Sequence, residues 1–197
     1  MRGKRVAKRS LDLMGWAFEG PIPSERKYVA LAMPHTSNWD GVLLLTITRS
    51  IGLSMRWMVK DAWVKGALGL PMMQMGAVPI DRSKNSNVVD QMIEAFREHD
   101  DFVLFIPPEG TRSRAEYWKS GFYHIALGAK VPVVPGYLDF ARKRAGLGPA
   151  MTMTGNVKSD MDRIRAFYAE KNPIPFDPSK FGPIRLREEE QADGGRG

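Results

Sequence analysis

The 197 residues are 43% hydrophobic and 26% charged, which supports one sizeable core and argues against a disordered chain. A formal charge of +7 suits an anionic partner, whether nucleic acid, acidic lipid or a phosphorylated small molecule, without choosing among them. The absence of cysteine excludes disulfides, thiolate metal sites and a cysteine nucleophile, and no apolar run reaches the roughly 18 to 20 residues of a spanning helix.

In chain order, residues 4–18 read as a basic amphipathic helix with an aromatic end at Trp16 and Phe18. Its apolar face either lies in a lipid interface or packs on the domain. GPIPS at 20–24 ends it. The basic N-terminus lacks the apolar stretch and cleavage site of a signal peptide, which points to a cytoplasmic protein, soluble or lying on a membrane. YVALAM at 28–33 is a short buried strand, ended by Pro34. Thr36, Ser37 and Asn38 are N-cap types, so a helix starts near Trp39 and runs through Ile51, apolar on most sides and expected to be buried. Further strands are expected at 56–60, 77–80, 102–106 and 131–139. Short helices fit the Met- and Gly-rich stretch 61–75, and longer ones 87–99, 121–128 and 161–170. FVLFI at 102–106 is the continuous apolar run of a strand buried on both faces of a parallel sheet. The acidic, Gly-rich end from Glu188 reads as an unstructured tail. The expected organisation is a basic N-terminal segment (1–24), one domain (25–187) and that tail (188–197).

Strands alternating with helices imply an α/β sandwich around a mostly parallel sheet. In such sheets, sites form at the carboxyl ends of the strands. His35, Arg82 and Glu109 each follow an expected strand, so they can converge. A histidine can take the proton of a hydroxyl near neutral pH, and a carboxylate on its other ring nitrogen fixes the tautomer. Asp40 lies about one helical turn beyond His35, within reach of it. No G-x-S-x-G nucleophile context occurs, and Ser37 sits among the capping residues. Direct attack by an acceptor hydroxyl is therefore the simpler chemistry. Arg82 and Arg112 offer planar forks for phosphate oxygens, Gly110 permits a close backbone approach, Thr111 can hold the loop, and Glu109 can orient Arg112 or accept hydrogen bonds from the acceptor. His124 fits a packed or surface helix position better than catalysis. Three histidines, His35, His99 and His124, with no H-x-x-x-H pair, weigh against a metal-dependent hydrolase. The dispersed basic residues match no nucleic-acid module.

Four blocks thus recur in order: His35 to Asp40 in HTSNWD, GAVPIDR ending at Arg82, EGTR at Glu109, Gly110, Thr111 and Arg112, and the apolar VPVVP ending at Pro135. They resemble the glycerolipid acyltransferase superfamily that includes the lysophosphatidic acid acyltransferases, over roughly residues 28–140. The stretch 118–135 also resembles a compact bacterial branch of it. The resemblance implies that His35 is the general base, with Asp40 orienting it, and that Arg82, Glu109, Gly110, Thr111 and Arg112 serve acceptor binding. It implies an acyl-CoA or acyl-acyl carrier protein donor, a lysophospholipid acceptor such as 1-acyl-glycerol-3-phosphate, and neither metal nor cofactor. A double proline, Pro107 and Pro108, precedes EGTR where many members have one. A short basic segment stands where some members carry a long hydrophobic hairpin. An anionic membrane surface, on the inner face of the cell membrane, is the expected setting, with the acyl chain near Met72 and Met75 and the N-terminal helix. The reading from another class is a lipid- or phosphate-binding protein of this fold without catalysis; an acyltransferase for another lipid acceptor is the variant within the class.

Overall fold

The computed structural model describes residues 2–66, 69–81 and 88–194. Among these, seven strands form one sheet: β1 (Ala17–Glu19), β2 (Lys27–Met33), β3 (Met55–Lys60), β4 (Ala77–Ile80), β5 (Phe102–Ile106), β6 (Val133–Asp139) and β7 (Arg144–Leu147). Their order is β1-β7-β6-β2-β5-β3-β4. Every neighbouring pair is parallel except β6 with β7, so the α/β, mostly parallel expectation holds.

The pleat divides β2 between two cores, because successive side chains point to opposite faces. Val29, Leu31 and Met33 face the helices α5 (Val88–Glu98), α6 (Gly121–Ala129) and α7 (Val157–Lys171), meeting Phe96, Phe122 and Ile164. Tyr28 and Ala30 face the other way, against Val134, Leu147 and the underside of α2 (Asn38–Ile51) at Leu44. The layers are thus helix, sheet, helix. Each large apolar side chain fully buried here contributes about 1.5–3 kcal/mol. FVLFI is buried at all five positions, as a strand covered on both faces requires.

Two expectations near the N-terminus change. Helix α1 (Arg2–Met14) stops at Gly15, which takes a left-handed φ of 75°. The Gly15 N–H donates to Asp12 O at 3.1 Å and the Trp16 N–H to Leu11 O at 2.9 Å, a glycine-terminated helix end. That reversal carries Trp16 into the core with Leu11, Leu43, Ile47 and Leu138, and Phe18 into strand β1 rather than onto a helix face. Helix α1 packs along α2, with Lys4 Nζ donating to Ile51 O at 3.2 Å. Ala7 and Leu11 are buried there; Val6 and Leu13 are exposed. Residues 2–19 are therefore built into the sandwich rather than standing apart from it.

Helix α2 is also less enclosed than its composition implies: Leu43, Ile47 and Ser50 are buried, whereas Trp39 and Val42 are exposed. Beyond it come the short helices α3 (Asp61–Val64) and α4 (Gly69–Gln74). At the other end, the segment read as an unstructured tail forms α8 (Arg187–Gly194). Its Glu189 pairs with Arg165 at 2.7 Å, and its Glu190 accepts from the Tyr117 hydroxyl at 2.7 Å.

Candidate active site

The register pairs Leu31 with Ile106, so the chain leaves β2 and β5 side by side at the carboxyl edge. From β2 it passes through a cis Met33–Pro34 peptide into a turn of four residues before α2. Asp40, at the third helical position, is only 2% exposed and organises this turn. Its Oδ2 accepts the backbone N–H groups of Thr36 at 2.6 Å and Ser37 at 2.7 Å, and its Oδ1 accepts the Ser37 hydroxyl at 2.8 Å. Ser37 in turn caps the helix, accepting from the Trp39 N–H at 3.1 Å; this is a reciprocal capping box. The His35 ring lies over the same carboxylate, Nδ1 to Oδ2 3.7 Å. That is a charge contact longer than a hydrogen bond. Asp40 therefore faces the Nδ1 side of the ring while its hydrogen bonds hold the turn.

Glu109 comes from the other exit. Its Oε1 accepts the His35 backbone N–H at 3.3 Å, and its Oε2 is buried without a hydrogen-bond partner. Burial raises the Glu109 carboxyl from its usual 4.5 to about 7; its own and the His35 N–H oppose that rise, and the Asp40 charge adds to it. Burial also lowers the His35 imidazole below its usual 6.5, against the pull of Asp40 and with the push of Arg112. Both effects favour a neutral imidazole at pH 7.

The EGTR loop then emerges into solvent. Gly110 has a left-handed φ of 65°, and a Cβ there would stand 2.8 Å from Lys119 Cγ, so glycine is what lets the Lys119 stem cross the loop. Thr111 Oγ1 accepts the Ser113 N–H at 3.1 Å. Gly110, Thr111, Arg112 and Lys119 line the same pocket as His35 and Asp40, a space of about 1070 Å³. Glu109 is not on its wall; the carboxylate sits behind His35, not beside Arg112.

From His35 the pocket extends under α2, past Leu44, Thr48, Leu53 and Met55. Small residues make this room. On the α2 side of the sheet, Ala32 stands beside Gly136 and Leu138 beside Ala145, and Ala32, Gly136 and Ala145 all line the space. Met72 lies on its wall, whereas Met75 lines an adjoining cleft of about 200 Å³. Helix α1 contributes no lining residue; β1 does, through Phe18. Arg82 lies outside the described residues. The VPVVP block takes no side in the pocket: Pro135 sits opposite Leu31 in β6, inside the sheet. His124 is exposed on α6. Among the described residues, no three His, Asp or Glu side chains gather as a metal site.

A sequence profile of the Acyltransferase family matches residues 17–139. The chain belongs to this family. It is 27% identical over 138 residues to the 1-acyl-sn-glycerol-3-phosphate acyltransferase of Haemophilus influenzae, covering 64% of this chain and 55% of that one. It is 29% identical over 134 residues to the human 1-acyl-sn-glycerol-3-phosphate acyltransferase alpha, covering 62% and 46%. The chain thus spans about half the length of the curated relatives it matches. The fold is similar to that of the crystal structure of the 1-acyl-sn-glycerophosphate (LPA) acyltransferase PlsC from Thermotoga maritima, with a TM-score of 0.59 at 16% identity, covering 89% of this chain and 80% of that one.

The matched span contains every pocket residue named above except those of β7. The residue that sequence reasoning passed over is Lys119. Its backbone N–H donates to Pro108 O at 2.8 Å, which fixes it beside the EGTR loop. No local signal marked it: Lys119 lies between Trp118 and the start of α6 and reaches the loop through the tertiary fold.

Proposed function

We propose that this protein transfers a fatty acyl group from an acyl thioester to the free hydroxyl of a lysoglycerophospholipid, with 1-acyl-glycerol-3-phosphate the first acceptor to test. The observation that carries this reading is a neutral-leaning histidine on the wall of a pocket that is apolar to one side, under α2, and cationic to the other, at Arg112 and Lys119. Neither cation has a charged partner among the described residues, and both can meet phosphate oxygens. The apolar arm takes the acyl chain. The Haemophilus influenzae and human relatives are 1-acyl-sn-glycerol-3-phosphate acyltransferases, which supports the same acceptor class.

In this mechanism Asp40 faces Nδ1, so Nε2 is the base. The acceptor hydroxyl attacks the thioester carbonyl as Nε2 takes its proton. The tetrahedral intermediate collapses, the carbon–sulfur bond breaks, and the leaving thiolate receives that proton, giving ester and free thiol with His35 neutral again. The imidazolium formed midway is stabilised by the Asp40 carboxylate 3.7 Å away. Glu109 supports this by holding the His35 backbone rather than by touching substrate. The donor is an acyl-CoA or acyl-acyl carrier protein, and no cofactor takes part. We place the protein in the cytoplasm, peripheral on the inner face of the cell membrane, where such an acceptor resides.

The test is thiol release from a long-chain acyl-CoA with and without lysophosphatidate. Acceptor-dependent release that disappears in His35→Ala is the expected result. Wild-type protein that binds both lipids yet releases no thiol, with either CoA or carrier-protein donors, would convert the assignment to a binding protein of the same fold.

A further inference from the structure

We infer that the rim of this pocket, formed by the first turns of α2 and by α3 and α4, is a docking surface for an anionic lipid bilayer. Trp39 and Val42 are 61% and 55% exposed, one helical turn apart on the outer face of α2. Trp63 on α3 is 62% exposed, and Leu70 on α4, which packs against α3, is 68% exposed. Val42 and Trp63 also line the pocket that holds His35, so the apolar patch borders the opening rather than lying elsewhere on the molecule. Large exposed apolar side chains grouped in this way mark an interaction surface, and tryptophan is the residue type that settles at a membrane–water boundary.

The charge distribution chooses an anionic occupant. Residues 2–66 carry eleven Lys and Arg against five Asp and Glu, whereas residues 88–194 carry fifteen against sixteen. Of the five acids, Asp40 is buried and Asp61 is paired with Lys65 at 2.6 Å. Five of the eleven bases lie on α1, which packs along α2. From the start of α2 through α3, residues 38–66 carry four (Arg49, Arg56, Lys60 and Lys65) against Asp40 and Asp61. Arg112 and Lys119 add two more cations on the pocket wall, and each basic group near an anionic leaflet contributes about 1 kcal/mol of attraction. A second copy of the chain or a protein partner seated on this rim would cover the opening. A bilayer seated there delivers lipid into it. The inference rests on the lipid-substrate reading of the pocket but is measured without turnover.

The test is co-sedimentation with phosphatidylglycerol vesicles and, separately, phosphatidylcholine vesicles. Wild type should prefer phosphatidylglycerol. The double variant Trp39→Ser/Trp63→Ser should lose binding by about tenfold or more, as withdrawal of two interfacial aromatics implies, while Leu13→Ser on α1 should lose less. His35→Ala should bind like wild type, which separates docking from chemistry. Both tryptophans are exposed, so the double variant should keep the wild-type circular dichroism and melting curve. As a check on the wild-type chain itself, brominated phosphatidylglycerol should quench its tryptophan fluorescence, with the quenching largely gone in the double variant. Undiminished sedimentation of the double variant would overturn the proposal, as would wild-type protein that ignores phosphatidylglycerol. A double variant that instead turns a wild-type dimer into a monomer on size exclusion would assign the rim to a second copy.

Discussion

The two sides of the pocket are built on opposite plans. On one side, the turn from His35 to α2 is buried and heavily bonded: Asp40 alone accepts three hydrogen bonds, and Glu109 braces the turn from behind. On the other, Arg112 and Lys119 are exposed side chains carried on a loop whose shape depends on Gly110. The difference teaches where preorganisation is needed. In the proposed mechanism the base must stand within hydrogen-bond reach of one proton, which a fixed backbone serves. The phosphate of the proposed acceptor can be met by long cationic side chains from several directions, which an open side allows.

The largest test of this contrast is His35→Ala. It should lower turnover by about 10² to 10⁴ with little change in melting temperature, and the acid limb of the wild-type kcat/KM profile should have its midpoint below 6.5, because burial lowers the imidazole. A midpoint above 6.5 would mean that Asp40 outweighs burial.

Glu109 gives the next effect, through stability. Its carboxyl is raised from 4.5 to about 7 in the folded protein, so its favourable contribution is complete below pH 4.5 and is lost as pH rises to 7. Each pKa unit is about 1.4 kcal/mol, so the loss is of order 3 kcal/mol. Glu109→Gln keeps an acceptor for the His35 N–H and cannot ionise. Denaturant melts at pH 5 and pH 8 should show it gaining on wild type at the higher pH. A constant difference between the two pH values would mean the carboxyl is not desolvated.

Asp40→Ala should destabilise the fold by about 1–3 kcal/mol, by stranding the Thr36 and Ser37 donors, and should also slow turnover. Loss of turnover with no loss of stability would separate the orienting role from the capping role. The smallest effect in stability belongs to the open side. Arg112→Ala should leave the melt unchanged and raise KM for a phosphorylated acceptor roughly 10- to 100-fold, the range of a charged hydrogen bond. An equal rise with an unphosphorylated acceptor would remove phosphate recognition as its role.

The strands β2 to β6 and the helix after HTSNWD were legible because each is a local signal: an apolar run, a proline stop, a capping residue. Strands β1 and β7 were not. AFE and RAGL are three and four residues long with no alternation, and β7 becomes a strand through antiparallel pairing with β6, which itself requires the β6 turn to close. The Gly15 stop was present in the sequence, yet the aromatic residues beyond it imitated a continued helix face. Lys119 was missed because only folding lays it across Gly110. Glu109 was read as orienting Arg112 or meeting the acceptor because it shares their loop; the structure turns it inward, onto the His35 N–H.

The sequence by itself determined the chemistry available here: one histidine with a carboxylate at the right interval, a glycine-jointed cationic loop, and strands that deliver both to the same edge of a parallel sheet. Those are consequences of local spacing and of the rule that strand ends converge. Only the tertiary structure decided the division of labour. Whether a carboxylate orients a ring, caps a helix or braces a backbone depends on what is buried beside it. The room under α2 depends on Ala32, Gly136 and Ala145 from three different strands facing the same way. Such a cavity is the absence of side chains at positions that only long-range pairing brings together.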